Sequence, residues 1–494
     1  MSRRKSIFYS AILLTVVNLL LRFAGTAFQV FLSGRIGAAG IGLLQLVLSV
    51  GGMAMVAGMA GIRTATMYLT AEELGKGRPK NVTWVLSGCF LYSILCSGIV
   101  ALLLYHFAPW IAENWIGNLR TLQALRLLAA FLPCTCLCGV MTGYFTAANR
   151  IGTLAAVEVA EQIASICCTL LLLRFWAGAD SAKACLSVVL GSSLGACITL
   201  VCLIILRLLE HPEQGSQIPV SRRLWNTAVP LALADDLKTG INTVENLMVP
   251  KRLAMNQLVE NPLASFGVVS GMVFPVMMFP ACILFGLAEL LIPELARCHA
   301  AGSRQRISYL VHRSLKVAML YGILFSGLLF LLSDALCIRL YNNAEAGRFL
   351  KLYALLIPML YCDAITDAMI KGLGQQKKSV QYNILTSAMD VCFLFYLLPK
   401  YGMMGYFISF LVTHLINFCL SLQRLLKISS EKLPLSVPVR AGIAAIFSVF
   451  ITSYAPAPIC QTALYPIVLS SLLYLSGVVS REDIRWLKGL IYKK

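Results

Sequence analysis

Charge is what this sequence has little of. Only 13% of its 494 residues are Asp, Glu, Lys or Arg, against about a quarter in an ordinary soluble domain. A water-soluble fold needs a charged exterior, so the composition excludes one. Missing too are any Cys-x-x-Cys pair and any His-Glu-x-x-His motif, and the five histidines are scattered. Gly75-Lys76-Gly77 lacks the spacing and trailing Ser or Thr of a P-loop, and the Gly37-x-x-Gly40-x-Gly42 stretch neither follows a strand nor opens a βαβ unit. No metal, nucleotide or other cofactor is expected, and any work must draw on an ion gradient, the membrane potential or the substrate's own gradient. No nucleophile stands beside a base, and no large polar domain carries paired acids, so the chain reads as a non-enzyme.

Apolar residues are what is abundant: 59% of the chain, with a mean hydropathy of +0.79. Windows of about 20 apolar residues predict an all-α polytopic membrane protein with about 14 transmembrane helices. They begin near residues 7, 43, 84, 122, 153, 184, 225, 264, 315, 350, 379, 402, 436 and 462. A short external turn, 34–42, is expected between the first two. The basic start Arg3 to Lys5 looks like a signal peptide, but the apolar run continues past Arg22 to Leu32, which reads as an uncleaved first span.

The formal net charge of +19 is first a topology signal. Most Lys and Arg fall at 3–5, 76–80, 222–223, 297–316, 371–378, 424–440 and 481–494, which places both termini on the cytoplasmic side of a bacterial cytoplasmic membrane under the positive-inside rule. No basic soluble domain remains, so no nucleic acid partner is expected. The 17 cysteines lie nearly all inside apolar spans and read as small buried hydrophobes. Cys134, Cys136 and Cys138 alternate, so on a helix they point apart and cannot ligate one metal.

Sliding the sequence by 225 residues exposes a repeat. Leu125-Arg126-Leu127, Ala129 and Pro133 fall on Leu350-Lys351-Leu352, Ala354 and Pro358, and the same shift maps Gly42 to Gly267, Gly61 to Gly286 and Gly77 to Gly302. Each copy holds six spans, and an even number returns the chain to the same side, so the copies face the same way. The expected divisions are 1–209 (first lobe), 210–223 (cytoplasmic linker with Pro212, Gly215 and Pro219), 224–428 (second lobe), 429–480 (two appended spans) and 481–494 (interfacial tail carrying Ile484, Leu487 and Ile491). In the eighth span, Pro275 and Pro280 predict a bend, suited either to a moving gate or to a permanently bent packing helix.

Charges inside the spans are the candidate site. Asp235, Lys238, Asn242 and Glu245 fall on one helical face, and about 1.5 Å of rise per residue puts Asp235 roughly 16 Å into a ~30 Å core. Such a face lines a transport path or locks helices through an Asp235–Lys238 pair. Arg22 and Arg63 add cations in the outer and inner halves. With Lys238 they form a ladder for an anionic headgroup, and the planar arginine forks suit a diphosphate. Glu158, Glu161, Asp363, Asp367 and Asp390 are candidates either for binding a coupling ion, H+ or Na+, or for structural pairing with the cations.

Several short runs resemble a known family. Gly143-Tyr144-Phe145-Thr146 with Asn149 and Glu161-Gln162, then Ala39 to Gln45, Ala60-Gly61-Ile62 and Leu291-Ile292-Pro293-Glu294, are similar to the polysaccharide transporter branch of the multidrug/oligosaccharidyl-lipid/polysaccharide flippase superfamily. The resemblance implies a V-shaped pair of six-helix lobes that flips a lipid-linked saccharide, plausibly a peptidoglycan precursor as in sporulation, by alternating access. Among its partners it implies membrane lipids and an anionic lipid-linked saccharide. In related lipid II flippases, basic residues of the central cavity are needed, and Arg22 and Arg63 answer to them here. The sequence departs from the sporulation members at Gln29, where a basic residue is common, and at Arg63, where proline is. A cation-coupled multidrug exporter is the alternative, and a scaffold in cell-wall assembly a third reading.

Overall fold

The structure is a computed structural model and describes residues 3–76, 78–177, 180–209, 220–429, 436–480 and 483. Among these the regular structure is helical: α1 (Arg3–Met59), α2 (Ile62–Gly75), α3 (Val82–Trp110), α4 (Leu122–Ala147), α5 (Ile151–Leu172), α6 (Ser181–Leu208), α7 (Val220–Leu253), α8 (Pro262–Val268), α9 (Phe274–Met278), α10 (Ala281–Ala300), α11 (Arg304–Tyr341), α12 (Ala344–Ala354), α13 (Ile357–Gly372), α14 (Gln376–Ser429), α15 (Ser436–Ser453) and α16 (Pro458–Leu475). The linker at 210–219 and the tail, apart from Asp483, lie outside the described residues.

Nine helices among the described residues are long and apolar enough to cross a membrane, or up to eleven with two bent pairs, α8–α10 and α12–α13, each taken as one span. Two of the long helices hold two arms each. α1 breaks at Gly37 (φ 69°) and α14 at Gly402 (φ 58°), conformations that glycine adopts without a Cβ penalty. With those arms and the charged helix α7, the fourteen spans of the sequence are accounted for. Their joints differ from expectation. The turn at 34–42 is a helix broken at a single glycine, because apolar and small residues continue on both sides and only Gly37 leaves helical geometry.

The helices turn apolar faces outward. On α3, Leu91, Leu95, Ile99, Leu102 and Leu103 are all more than half exposed and repeat at helical spacing. A continuous apolar exterior of this kind suits a hydrocarbon solvent and no other.

Contacts divide the chain into two compact units: Met1–Gly271 with Ser387–Tyr406, and Met272–Thr386 with Phe407–Lys494. In the first unit, α2, α3, α4 and the start of α7 meet in a core of Ile62, Leu69, Val85, Tyr92, Val140, Phe145, Leu224 and Ala228. Its tightest crossing joins repeat-equivalent residues. A Cβ on Gly42 would lie 2.3 Å from the Leu263 carbonyl oxygen, and one on Gly267 would lie 2.0 Å from that of Ala38, so the two backbones touch where only glycine fits.

In the second unit, α15 and α16 dock on α11 around Ile323, Ala441, Ala444, Tyr465 and Leu469. Tyr465 donates to the Ile323 carbonyl at 3.0 Å, and a Cβ on Gly327 would fall 2.0 Å from its hydroxyl oxygen and 2.2–2.7 Å from ring carbons. Gly327→Val is expected to push Tyr465 out of its slot, costing about 1–3 kcal/mol as an overpacked core does. Limited proteolysis in detergent should then cut within 430–480 before the rest of the chain; an unchanged digestion pattern would refute the docking.

α11 has 38 residues, about 57 Å at 1.5 Å each, so its basic start stands beyond the hydrocarbon. There Arg313 and Lys316 grip Asp483, Lys316 at 2.6 Å, while Ser480 and Asp483 hydrogen-bond reciprocally. Burial alone pushes the Asp483 carboxyl up, but hydrogen bonds from Lys316, Ser480 and Arg313 outweigh it and hold the carboxyl well below the usual carboxylate range. The depressed folded value makes this stabilisation complete above the ordinary Asp range and lost only as pH falls through the lower one. Exchange protection at Ser480 and Asp483 should therefore survive at pH 4.5 and be lost in Asp483→Asn; loss in the wild type at that pH would count against the latch.

Candidate functional site

The first unit carries all three cations of the expected ladder, and all three are exposed: Arg22 on α1, Arg63 on α2 and Lys238 on α7. Arg63 is set by packing. A Cβ on Gly143 of α4 would lie 2.5 Å from the Arg63 carbonyl oxygen, so the small residue in the Gly143-Tyr144-Phe145-Thr146 run lets α2 lie directly on α4. Arg63 also falls within electrostatic reach of half-buried Glu158 on α5. One turn on, Glu161 accepts a hydrogen bond from Thr199 of α6 at 2.7 Å.

α7 is anchored to the second arm of α1. Thr243 donates to the Ser49 carbonyl at 3.2 Å and Asn246 to the Ser49 hydroxyl at 3.0 Å. That rotation leaves Asp235, Lys238 and Asn242 exposed, and among the described residues no ion pair joins Asp235 to Lys238. Glu245 lies within electrostatic reach of Asp390, a buried residue of the α14 segment in the same unit. Two carboxyls so close favour a proton or a cation between them.

Asp236 was not among the sequence candidates. Its Oδ1 is buried without a hydrogen-bond partner among the described residues, and its carboxyl lies within electrostatic reach of Tyr92 on α3. Its one-residue offset from the polar face hid it.

The second unit encloses a cavity of about 210 Å³ whose polar lining comes from Tyr361, Asp363, Asp367, Asn383, His414 and Asn417. Asn417 donates to both oxygens of Asp363 at 3.0 and 3.2 Å. Asp367 is instead committed to Lys371, at 2.6 Å, and to the Ser379 hydroxyl. The pairing partners Thr199 and Asn417 stand as isolated polar residues in apolar runs, which was their signal. Of the three alternating cysteines, Cys134 and Cys138 face α6, meeting Cys197 at 3.2 Å and the Ala196 carbonyl at 3.1 Å, while Cys136 points away to Met55.

Fold and site define a multi-pass helical membrane protein with buried acids and exposed cations. The MatE family pattern matches residues 14–176 and 252–395, more than half of the chain, so the chain belongs to the MatE family and is a membrane transporter of the MOP superfamily. It is similar to stage V sporulation protein B of Bacillus subtilis (strain 168), 22% identical over 412 residues that span 80% of this chain and 78% of that protein. Among solved structures it is similar in fold to the lipid II flippase MurJ in an inward closed conformation, with a TM-score of 0.70 and 13% identity, covering 94% of this chain and 98% of that one. An inward-facing multidrug resistance MATE transporter of the MOP superfamily gives 0.67 at 13% identity, covering 86% of this chain and 100% of that one.

Proposed function

We propose that the protein flips an anionic lipid-linked saccharide, of the peptidoglycan-precursor class, across a bacterial cytoplasmic membrane by alternating access, with both termini cytoplasmic. One observation carries the reading. Three cations, Arg22, Arg63 and Lys238, are exposed with one acid, Asp235, on the same face of α7 as Lys238, whereas Glu161 and Asp363 accept hydrogen bonds from Thr199 and Asn417. A path lined by these groups is net positive and favours a diphosphate over a cationic drug. The similarity to a sporulation protein and to a lipid II flippase supports the same substrate class. The sequence copies 1–209 and 224–428 are the proposed moving parts. H+ or Na+ is the proposed driving ion, held at the Glu245–Asp390 pair, with the Asp363 cavity as a second candidate. The acids Glu158 and Asp367 then act as structural partners of Arg63 and Lys371.

The test is surface accessibility of a lipid-linked precursor in cells depleted of this protein and complemented with wild type or Arg63→Ala. Depletion should trap the precursor inside, the wild type should release it, and Arg63→Ala should restore less than a tenth of the flux. Unaltered precursor accessibility on depletion, with a rise in drug sensitivity, would hand the function to the exporter reading.

A further inference from the structure

The two repeat-equivalent spans formed by α1–α2 and by α8–α10 are both broken. In the first unit the break is at Ala60 and Gly61, both at positive φ. The second span bends by 63° between Met278 and Ala281. A break in a membrane helix turns carbonyls away from their backbone donors, and each must find another partner.

Side chains supply those partners, most of them tyrosines. Tyr92 donates to the Ala60 carbonyl at 3.2 Å. In the second unit Tyr361 donates to Met277 at 2.9 Å, Tyr321 to Pro280 at 2.8 Å and Tyr341 to Met272 at 3.3 Å. Upstream, Pro275 has no N–H to offer the preceding turn, and the Gly271 carbonyl accepts from Gln29 Nε2 at 2.8 Å within the first unit. Gln29, where the sequence departs from the sporulation pattern, thus has a task in this chain.

Tyr321 and Tyr361 stand together, ring centroids 6.0 Å apart, one from α11 and one from α13. Their acceptors lie on the two sides of the bend. In a straight helix the Met277 carbonyl would accept from the Ala281 N–H, whereas Pro280, the N-cap of α10, keeps its first intrahelical acceptor role in the bent form and takes the Tyr321 hydroxyl in addition. The Tyr361 hydroxyl therefore interacts with a carbonyl that only the bent form frees, and that difference in affinity is what shifts an equilibrium between two conformations. Tyr361 also lines the acidic cavity, so the residue that holds the bend borders the chamber of Asp363.

We propose that Tyr361, with the Tyr321 ring beside it, is a positioning residue of the transport cycle, whose hydroxyl holds the α8–α10 span bent by capping the Met277 carbonyl that the break releases. The proposal rests on the alternating-access reading above only for its role in the cycle, since the bend is measurable without any substrate.

The experiment uses full-length protein in lipid nanodiscs, comparing wild type with Tyr321→Phe, Tyr361→Phe and the double variant. Phenylalanine keeps each ring and removes one hydroxyl. Hydrogen–deuterium exchange across 272–284 should rise about fivefold in Tyr361→Phe and in the double variant, the size expected of one net hydrogen bond, and stay near the wild-type level in Tyr321→Phe, whose acceptor keeps its helix bond. Exchange in α15 and α16 and the thermal midpoint should stay at wild-type values. Where the wild type moves precursor, the double variant should move it at a changed rate. Unchanged exchange at the bend overturns the proposal, as does exchange that rises everywhere together with a lowered midpoint, which a merely structural role would give. Local loosening with an unaltered flipping rate overturns the role in the cycle. Should the wild type move no precursor, the substrate reading fails and the exchange result still decides this one.

Discussion

Gly267→Ala is expected to be the most damaging single-methyl change in the protein. The added carbon would sit 2.0 Å from the Ala38 oxygen, 2.6 Å from the Gly42 nitrogen and 3.0 Å from the Gly42 Cα. All three are backbone atoms, so no side-chain rotation relieves the clash, and the facing residue is already glycine. Overpacking ordinarily costs about 1–3 kcal/mol, and with two rigid backbones in opposition the upper end or beyond is expected. Gly98→Ala on α3 is the control, since a Cβ there meets nothing within 4 Å. Thermal unfolding in detergent should show a loss of several degrees for Gly267→Ala and almost none for Gly98→Ala. Equal midpoints would mean that α1 and α8 do not cross as described.

The second large effect concerns the carboxyl pair. Glu245→Gln replaces one carboxyl by an uncharged amide that can itself donate to the neighbouring Asp390. The charge that a coupling ion would balance at this pair is thereby reduced. Transport in reconstituted vesicles should fall at least about tenfold, equivalent to ~1.4 kcal/mol, and what remains should no longer respond to the Na+ or H+ gradient. Asp390→Asn should behave alike, and the double change should be no worse than either single one, because the two residues act as a unit. An undiminished gradient dependence in Glu245→Gln would remove the pair from the coupling step.

The polar face of α7 shows how far residue spacing reaches. Helical periodicity rightly grouped Asp235, Lys238 and Asn242, which the structure leaves exposed. Glu245 sits on the same stripe, seven residues and about 20° from Lys238, yet its carboxyl lies near Asp390, 145 positions along the chain, which no spacing within α7 could show. Asp236 was overlooked for the opposite reason, since one residue of offset put it outside a face defined by its neighbours. The same limit hid the tyrosines. Nothing in the spacing of Tyr321 and Tyr361 announces that their hydroxyls end on carbonyls 41 and 84 residues away.

By itself the sequence determined the membrane class, the all-helical architecture and the bend in the eighth span, because each follows from local properties: apolar length, periodicity and proline without its N–H. The tertiary structure alone decided which acids pair, which cations stay exposed, and which hydroxyls close the broken helices. Those outcomes depend on helix rotation and on partners far apart in the chain. Rotation is set by the sum of many packing contacts such as Gly143 on Arg63 and Thr243 on Ser49, and no short window of residues contains that sum.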